Sequence, residues 1–296
     1  MFYVDEEYAE AIFVDEGNPV YSDIDGVLFN KEGTVLLQYP AGKKQKEYVI
    51  PSSVTEICES AFNGCKNIEK IIIPDGVVEI GDSAFEHCES LTSIIIPPGV
   101  RNISYSLFSN CVSLKNIGLP ESVEKIDRFA FFHCDSLKEL VIPNSVTHIG
   151  GYAFCDCISL TNIKLSSNIT RIYPATFDSC KSLKDIVIPE GVTEIVGSNI
   201  GEGAFHECRA LENVTLPESL VVIGSYAFAH CHSIKEITIP AAVRRIDELS
   251  FNDYYEHKDC NNPEVVYIYA DKESLTIAPD AFTEHTKLVF IKNENK

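Results

Sequence analysis

Apolar and polar residues recur along most of the chain with a period of 23 residues. Proline marks the period at positions 51, 74, 97, 120, 143 and 189, and Ser166 takes the place of one proline. In this register the unit reads P-x-x-V-x-x-I-G-x-x-A-F-x-x-C-x-x-L-x-x-I-x-I, and residues 73–96 are a nearly perfect copy. A fixed period of about 20 to 50 residues is typical of stacked repeats, so the pattern predicts a solenoid.

Each part of the unit predicts one local structure. The L-x-x-I-x-I part alternates like a half-buried strand, with Leu91, Ile94 and Ile96 facing inward in one copy. The proline provides the following chain reversal, and the V-x-x-I pair lines the opposite wall. The A-F-x-x-C part is interpreted as a short helical turn whose phenylalanine fills the coil. One unit cannot bury these residues alone, whereas parallel strands stacked about 4.8 Å apart form a continuous core.

The phenylalanine of the unit predicts ten repeats between residues 51 and 296. Two repeats carry insertions, near residues 196–203 and 253–264, which are rich in loop-forming residues. The phenylalanines are Phe62, Phe85, Phe108, Phe131, Phe154, Phe177, Phe205, Phe228, Phe251 and Phe282.

The unit resembles the BspA-type leucine-rich repeat, over roughly residues 51–291. The resemblance implies a right-handed α/β leucine-rich-repeat solenoid, in which ten repeats stack one parallel β-sheet. Residues 1–50 resemble the segment that often precedes the repeats in that family. They are interpreted as a degenerate repeat around Ile12 and Val14, followed by a β-hairpin that turns at Asn30–Gly33 and caps the open edge of the stack.

The motif Asp23-Ile24-Asp25-Gly26 looks like the nucleophile motif of haloacid-dehalogenase-type phosphatases. Such an enzyme needs the first aspartate at the end of a buried parallel strand, but residues 18–22 are not an apolar strand. A calcium loop would need ligands that are absent here. We therefore expect Asp23 and Asp25 to belong to the capping hairpin.

Eight of the eleven cysteines occupy one position of the repeat and are expected to stack as a column. Neighbouring Cβ atoms would lie about 5 Å apart, against about 3.8 Å in a disulfide, and a straight column does not converge on a zinc ion. Cys58, Cys155 and Cys260 lie off the column and are expected to be more exposed and oxidisable. The column is predicted to consist of buried, reduced thiols: Cys65, Cys88, Cys111, Cys134, Cys157, Cys180, Cys208 and Cys231.

Histidines flank the cysteine position in several repeats. The first two, His87 and His133, are two coils apart, about 10 Å, which is too far for a shared metal ion. The sequence therefore predicts no metal site and no cofactor. Because it also lacks a Ser-His-Asp spacing and a glycine-rich phosphate loop, the chain is not expected to be an enzyme.

The charge of the chain limits its partners. Lysine and arginine number 24 against 44 aspartates and glutamates, a formal charge of -20, which disfavours nucleic acids and anionic membrane surfaces. The sequence has no run of about 18 apolar residues, so no membrane insertion is expected. Its first residues lack the basic and apolar regions of a signal peptide.

The outward positions of the predicted strands are the candidate protein-binding surface, because solenoids commonly bind ligands on their parallel sheet. One column of these positions is polar, and the other is apolar over much of its N-terminal half. The alternative is that β-branched residues simply suit a strand. The predicted face comprises Lys70, Ile72, Ser93, Ile95, Asn116, Glu139, Val141, Asn162, Lys164, Asp185, Val187, Asn213, Thr215, Glu236 and Thr238.

Two functions follow from these observations. The family resemblance implies a non-catalytic binding module on a bacterial or protist cell surface, which binds host or matrix proteins. The alternative is an intracellular scaffold or adaptor, because a reducing cytoplasm would keep eleven thiols reduced. The ligand in either case is a protein of unknown identity.

Overall fold

The computed structural model describes residues 9–198, 200–252 and 263–291. Two compact units divide the chain, Met1–Leu137 and Lys138–Lys296. Throughout the described ranges, short β-strands joined by turns are the regular elements. They are β1 (Tyr21–Ile24), β2 (Val27–Asn30), β3 (Val35–Gln38), β4 (Glu47–Val49), β5 (Glu56–Ile57), β6 (Lys70–Ile72), β7 (Glu79–Ile80), β8 (Ser93–Ile95), β9 (Asn102–Ile103), β10 (Asn116–Gly118), β11 (Lys125–Ile126), β12 (Glu139–Val141), β13 (His148–Ile149), β14 (Asn162–Lys164), β15 (Arg171–Ile172), β16 (Asp185–Val187), β17 (Glu194–Ile195), β18 (Asn213–Thr215), β19 (Val222–Ile223), β20 (Glu236–Ile239), β21 (Arg245–Ile246), β22 (Val265–Ile268), β23 (Thr276–Ile277) and β24 (Lys287–Phe290).

The N-terminal unit begins with an antiparallel meander of β1, β2 and β3. The turn between β2 and β3 is the predicted one, since the Gly33 N–H donates to the Asn30 carbonyl at 3.0 Å. Strand β3 then pairs in parallel with β5, and β5 with β7. Strands β4, β6, β8 and β10 form a second parallel sheet, and β9 pairs in parallel with β11. The predicted hairpin is confirmed, and it continues into the parallel wall.

The C-terminal unit repeats the parallel arrangement with two walls. The two-residue strands β15, β17, β19, β21 and β23 form one continuous sheet. On the other wall, β12 pairs with β14, β16 with β18, β20 with β22, and β22 with β24. A division between residues 1–50 and 51–296 stays a prediction.

The interior of each unit is built from stacked phenylalanines. In the C-terminal unit, ring centroids of successive phenylalanines from Phe154 to Phe282 lie 5.0–5.5 Å apart. The proline of each 23-residue repeat begins a tight turn. In one such turn the Val77 N–H donates to the Pro74 carbonyl at 3.1 Å. Inward positions of the strands complete the core, and Leu91, Ile94 and Ile96 are buried as predicted.

The α/β assignment is wrong, because the A-F-x-x-C part forms turns and the described residues contain no helix. Two positions four residues apart are left-handed in most coils, as at Ser83 (φ 55°) and His87 (φ 57°). Helix residues need φ near -63° throughout, so these positions interrupt any helix. Alternate N–H groups instead bond to the next coil, and the Phe85 N–H donates to the Leu107 carbonyl at 3.1 Å.

The chain contains about eleven turns of parallel β-solenoid, one more than the phenylalanines predict. Tyr39 takes the place of the missing phenylalanine, since its ring stacks on Phe62 with centroids 5.0 Å apart. The Tyr39 N–H also donates to the Ala61 carbonyl at 2.7 Å, as the Phe62 N–H does to Ala84. A degenerate repeat does precede residue 51, but its core residue is Tyr39, which follows β3. The predicted location around Ile12 and Val14 is wrong, because those backbone N–H groups bond to Gly26 and Asp23 of the first hairpin.

The insertion at 196–203 is accommodated by a close backbone contact. A Cβ atom on Gly224 would lie 2.1 Å from the Gly197 nitrogen, so neither glycine tolerates a side chain without a backbone shift. The second insertion, 253–264, falls mostly on residues 253–262, which lie outside the described ranges.

Candidate functional site

The predicted face in the N-terminal unit lies on the outward positions of β6, β8 and β10. Lys70, Ile72 and Asn116 are exposed, Ser93 is half-buried, and Ile95 is 78% exposed. The register aligns Lys70 with Ser93 and Ser93 with Asn116, so the polar column is continuous. These positions point outward because strand side chains alternate and the intervening isoleucines fill the core.

The same face in the C-terminal unit lies on β12, β14, β16, β18 and β20. Val141 and Val187 are each 64% exposed. The register pairs Val141 with Lys164 and Val187 with Thr215. An amide of Asn213 donates to Asp185 Oδ1 at 2.5 Å, which links neighbouring strands of the polar column. The remaining predicted residues of this unit are exposed as well: Glu139, Asn162, Lys164, Asp185, Asn213, Thr215, Glu236 and Thr238.

A groove of about 1070 Å³ lies over the C-terminal strands of this face. Four predicted residues line it, namely Asn213, Thr215, Glu236 and Thr238. Its acidic lining is completed by residues that the sequence did not single out: Glu212, Glu218 and Glu264, with Lys235 as a basic neighbour. In the C-terminal unit, the exposed residues of the sheet therefore line a concave, acidic surface.

Further residues of the face were missed by sequence reasoning. Glu47 and Val49 on β4 align with Lys70 and Ile72, and Lys70 Nζ lies 3.0 Å from Glu47 Oε1. On β22, Tyr267 aligns with Thr238 and adds a half-buried aromatic side chain. The available signal was the alternation around the buried Val266 and Ile268, which marks Val265 and Tyr267 as outward.

The Asp-x-Asp-Gly motif lies in the first hairpin. Asp25 and Gly26 have φ values of 52° and 73° and form the turn between β1 and β2. Asp23 Oδ1 accepts the Val14 N–H at 2.8 Å. Strand β1 is antiparallel to β2 and is not the buried parallel strand that a phosphatase nucleophile requires. The expectation that both aspartates serve the hairpin is confirmed.

The eight column cysteines are buried, and none of them is in a disulfide bond. Their thiols are directed at backbone carbonyls of the preceding coil, with Cys111 Sγ 3.1 Å from the Phe85 oxygen and Cys180 Sγ 3.2 Å from the Phe154 oxygen. Burial raises the pKa of Cys65 to about 12 and holds the pKa of Cys88 well above its ordinary value. The predicted burial of the column is therefore confirmed, and the reduced state of its thiols stays a prediction.

The off-column cysteines differ from one another. Cys58 is half-buried, whereas Cys155 is buried and contacts Asp156 Oδ2 at 3.4 Å. The expectation that Cys155 is exposed is wrong, because the left-handed Asp156 turns the chain so that the Cys155 side chain faces inward. Cys260 lies outside the described residues.

The C-terminal unit brings together His206, Glu207 and His230, whose ligand atoms lie within 4.8 Å of one another. The two imidazole rings are edge to face with centroids 5.1 Å apart. Burial favours the neutral form of Glu207, but the hydrogen bond and charge of Arg209 and the charges of the two histidines outweigh it and lower the Glu207 pKa. From the sequence, the flanking histidines are interpreted as polar residues that close the turn, and distance excludes a shared metal ion only for His87 and His133. That separation of two coils does not apply to His206 and His230, which lie in adjacent coils.

The described residues include no apolar helix of the length needed to cross a bilayer.

Comparison with known proteins identifies the repeat. The model of the BspA type leucine rich repeat region, in six copies, matches residues 41–123, 101–199 and 197–294. A leucine-rich repeat protein from Bacteroides ovatus is 28% identical, with a TM-score of 0.73, over 94% of this chain and 72% of its own. A leucine-rich repeat protein from T. pallidum is 30% identical, with a TM-score of 0.50, over 68% of this chain and 82% of its own. Curated protein sequences give no significant match. The chain belongs to the BspA type leucine-rich repeat family.

Proposed function

We propose that this chain is a non-catalytic protein-binding module and that its partner docks on the outward face of the parallel sheet. The observation that carries the proposal is the exposure of Val141 and Val187 beside a polar column. Exposed apolar side chains next to hydrogen-bonding groups match the composition of protein interfaces. Membership of a repeat family that is typically non-catalytic supports the same function.

The partner is a protein segment that presents basic residues next to apolar ones. Val187 aligns with Thr215, which lines the acidic groove, so an apolar contact and the groove adjoin. The groove carries four glutamates, Glu212, Glu218, Glu236 and Glu264, against Lys235. A surface of this charge, on a chain with a net charge of -20, attracts cationic segments and repels acidic ones.

A peptide display library panned on the whole chain tests this specificity. The enriched peptides are expected to combine lysine or arginine with aliphatic or aromatic residues, and to lose binding at high salt. Enrichment of acidic peptides, or of peptides that bind equally to the V141E/V187E variant, would contradict the proposed face.

We propose that the module lies at the cell surface and binds host or matrix proteins there. The ground for this location is its resemblance to other members of the family. A second location, as an intracellular scaffold or adaptor, is favoured by one observation: none of the ten cysteines in the described ranges is in a disulfide bond.

Protease treatment of intact source cells separates the two locations. Release of peptides from this chain before any cytosolic marker supports surface exposure. Retention until lysis supports the intracellular scaffold and would direct binding assays to cytoplasmic proteins.

A further inference from the structure

Three successive coils of the C-terminal unit bring imidazole and carboxylate groups together. Phe177, Phe205 and Phe228 stack with centroids 5.2 and 5.1 Å apart. Residues at equal offsets from these rings are therefore neighbours. Asp178 and His206 each follow their phenylalanine directly, while Glu207 and His230 each lie two residues after it.

The backbone aims Glu207 and His230 in the same way. Both are left-handed, with φ values of 60° and 59°, and the Glu207 N–H donates to the Ala229 carbonyl in the next coil at 3.0 Å. Equivalent backbone conformations in adjacent coils direct both side chains to the same side of the stack. The imidazole of His206, one residue before Glu207, lies beside these two side chains.

The distances suit a small cation after modest side-chain adjustment. The ligand atoms of His206, Glu207 and His230 lie within 4.8 Å of one another. Zinc bonds of about 2.0–2.1 Å place tetrahedral ligand atoms roughly 3.3 Å apart, so the side chains need to close by rotation. All three residues are half-buried, which limits competition from water and leaves room for that rotation.

A buried carboxylate supports one of these histidines. Asp178 Oδ1 lies 3.1 Å from His206 Nδ1, and the Asp178 side chain is only 10% exposed. A carboxylate in this position fixes the proton on Nδ1 and leaves the lone pair on Nε2, which is how outer-shell carboxylates orient metal-binding histidines.

Two neighbouring side chains affect metal binding: Arg209 competes with the metal ion for Glu207, and His232 can add a fourth ligand. Arg209 Nε lies 2.5 Å from Glu207 Oε2, but the arginine side chain is 57% exposed and engages one carboxylate oxygen. The ring of His232 lies 5.8 Å from that of His230 and is near enough to add a fourth ligand.

We propose that His206, Glu207 and His230 bind one divalent transition-metal ion, and that the bound ion clamps two adjacent coils next to the insertion at 196–203. Two imidazoles and a carboxylate match zinc best among the common divalent ions, with the fourth position taken by water or His232. His232 also lines the acidic groove, so the site adjoins it, but His206, Glu207 and His230 lie outside the strands of the sheet face. The metal proposal does not depend on the function of that face.

Calorimetric titration of the reduced whole chain with zinc chloride tests the proposal. The wild-type chain is expected to bind about one equivalent, and the H206N/H230N variant to lose at least tenfold in affinity. The matched control is H87N/H133N, because His87, His133 and His230 share one repeat position and a left-handed backbone that asparagine tolerates. The control is expected to bind zinc as tightly as the wild type.

Two further measurements keep the test independent of folding and of the cysteines. Circular dichroism melts without metal should coincide for the wild type and H206N/H230N, while zinc raises the melting temperature of the wild type alone. If H206N/H230N does not fold, E207Q takes its place. Cobalt substitution should give the visible absorption of a four-coordinate nitrogen and oxygen site. Unchanged zinc binding by the folded variant, equal loss in the control, or a thiolate charge-transfer band would overturn the proposal.

Discussion

The Sγ atom of Cys208 lies 3.1 Å from the carbonyl oxygen of Phe177 in the preceding coil. The same relationship joins Cys231 to Phe205 at 3.0 Å and Cys88 to Phe62 at 3.2 Å. A buried position that touches a carbonyl favours a small side chain with a weak donor, and a thiol meets both conditions. The cysteine column is thus a structural element of the coil.

Chemical labelling of the native chain should be slow at the column. Nine of the ten described cysteines are buried, so among them Cys58 is expected to react readily with a thiol reagent. Cys260 lies outside the described ranges, and the sequence predicts that it is a second reactive thiol. The denatured chain should titrate with eleven thiols. Rapid labelling of more than two thiols without unfolding, or recovery of several disulfides, would contradict the buried column.

Stability should fall at alkaline pH because of the column thiols. Burial raises the pKa of Cys65 to about 12 and holds the pKa of Cys88 and Cys180 well above the ordinary value of 9.0. Below pH 9 both states keep these protons. Above it the unfolded chain releases them while the folded chain does not, so the free energy of unfolding decreases until the folded-state pKa is reached.

Urea denaturation at pH 8 to 10.5 in the presence of reductant measures this effect. Each thiol that is ionised only in the unfolded chain contributes a slope of up to about 1.4 kcal/mol per pH unit. The C88A variant removes one such thiol and should show a shallower decrease than the wild type. Identical slopes for the two chains would mean that burial does not control this titration.

Removing one ring from the aromatic column should cost substantial stability. Phe205 is fully buried between Phe177 and Phe228, so Phe205→Ala leaves a cavity and is expected to lower the free energy of unfolding by about 3–5 kcal/mol. Phe13, which is largely exposed, is the control, and Phe13→Ala should cost less than about 0.5 kcal/mol. Similar losses for both variants in chemical denaturation would contradict the stacked core.

The left-handed positions predict a stabilising substitution. Ser60 is exposed and has φ 57°, which costs a residue with a side chain about 1 kcal/mol. Ser60→Gly should therefore raise the free energy of unfolding by about 0.5–1 kcal/mol, whereas Glu59→Gly, at an exposed neighbour without positive φ, should lower it. Equal losses from both variants would show that Ser60 is not strained.

The repeat was predictable because the apolar spacing alone requires stacking. Proline at every 23rd residue and the alternation of Leu91, Ile94 and Ile96 indicated strands and turns without reference to any homologue. The left-handed positions were not predictable in the same way. Residues as different as Ser83, Phe129 and Leu249 occupy them, and glycine, the strongest sequence signal, occurs there at Gly64.

Degenerate coils and local clusters also escaped prediction, for different reasons. Tyr39 lies one 23-residue period before Phe62, but it is not a phenylalanine, so counting phenylalanines missed its coil. The sequence does place His206 and His230 in adjacent repeats. It does not give the direction of their side chains, which the backbone at Glu207 and His230 decides.

Binding by the sheet face is tested by the affinity of a selected peptide for three chains: the wild type, V141E/V187E and V78E. Val78 is 58% exposed, comparable to Val141, but it lies outside the strands of the binding face and serves as the matched control. We expect all three chains to fold, V78E to bind like the wild type, and V141E/V187E to bind at least tenfold more weakly. Equal affinities for all three folded chains would contradict a binding role for this face.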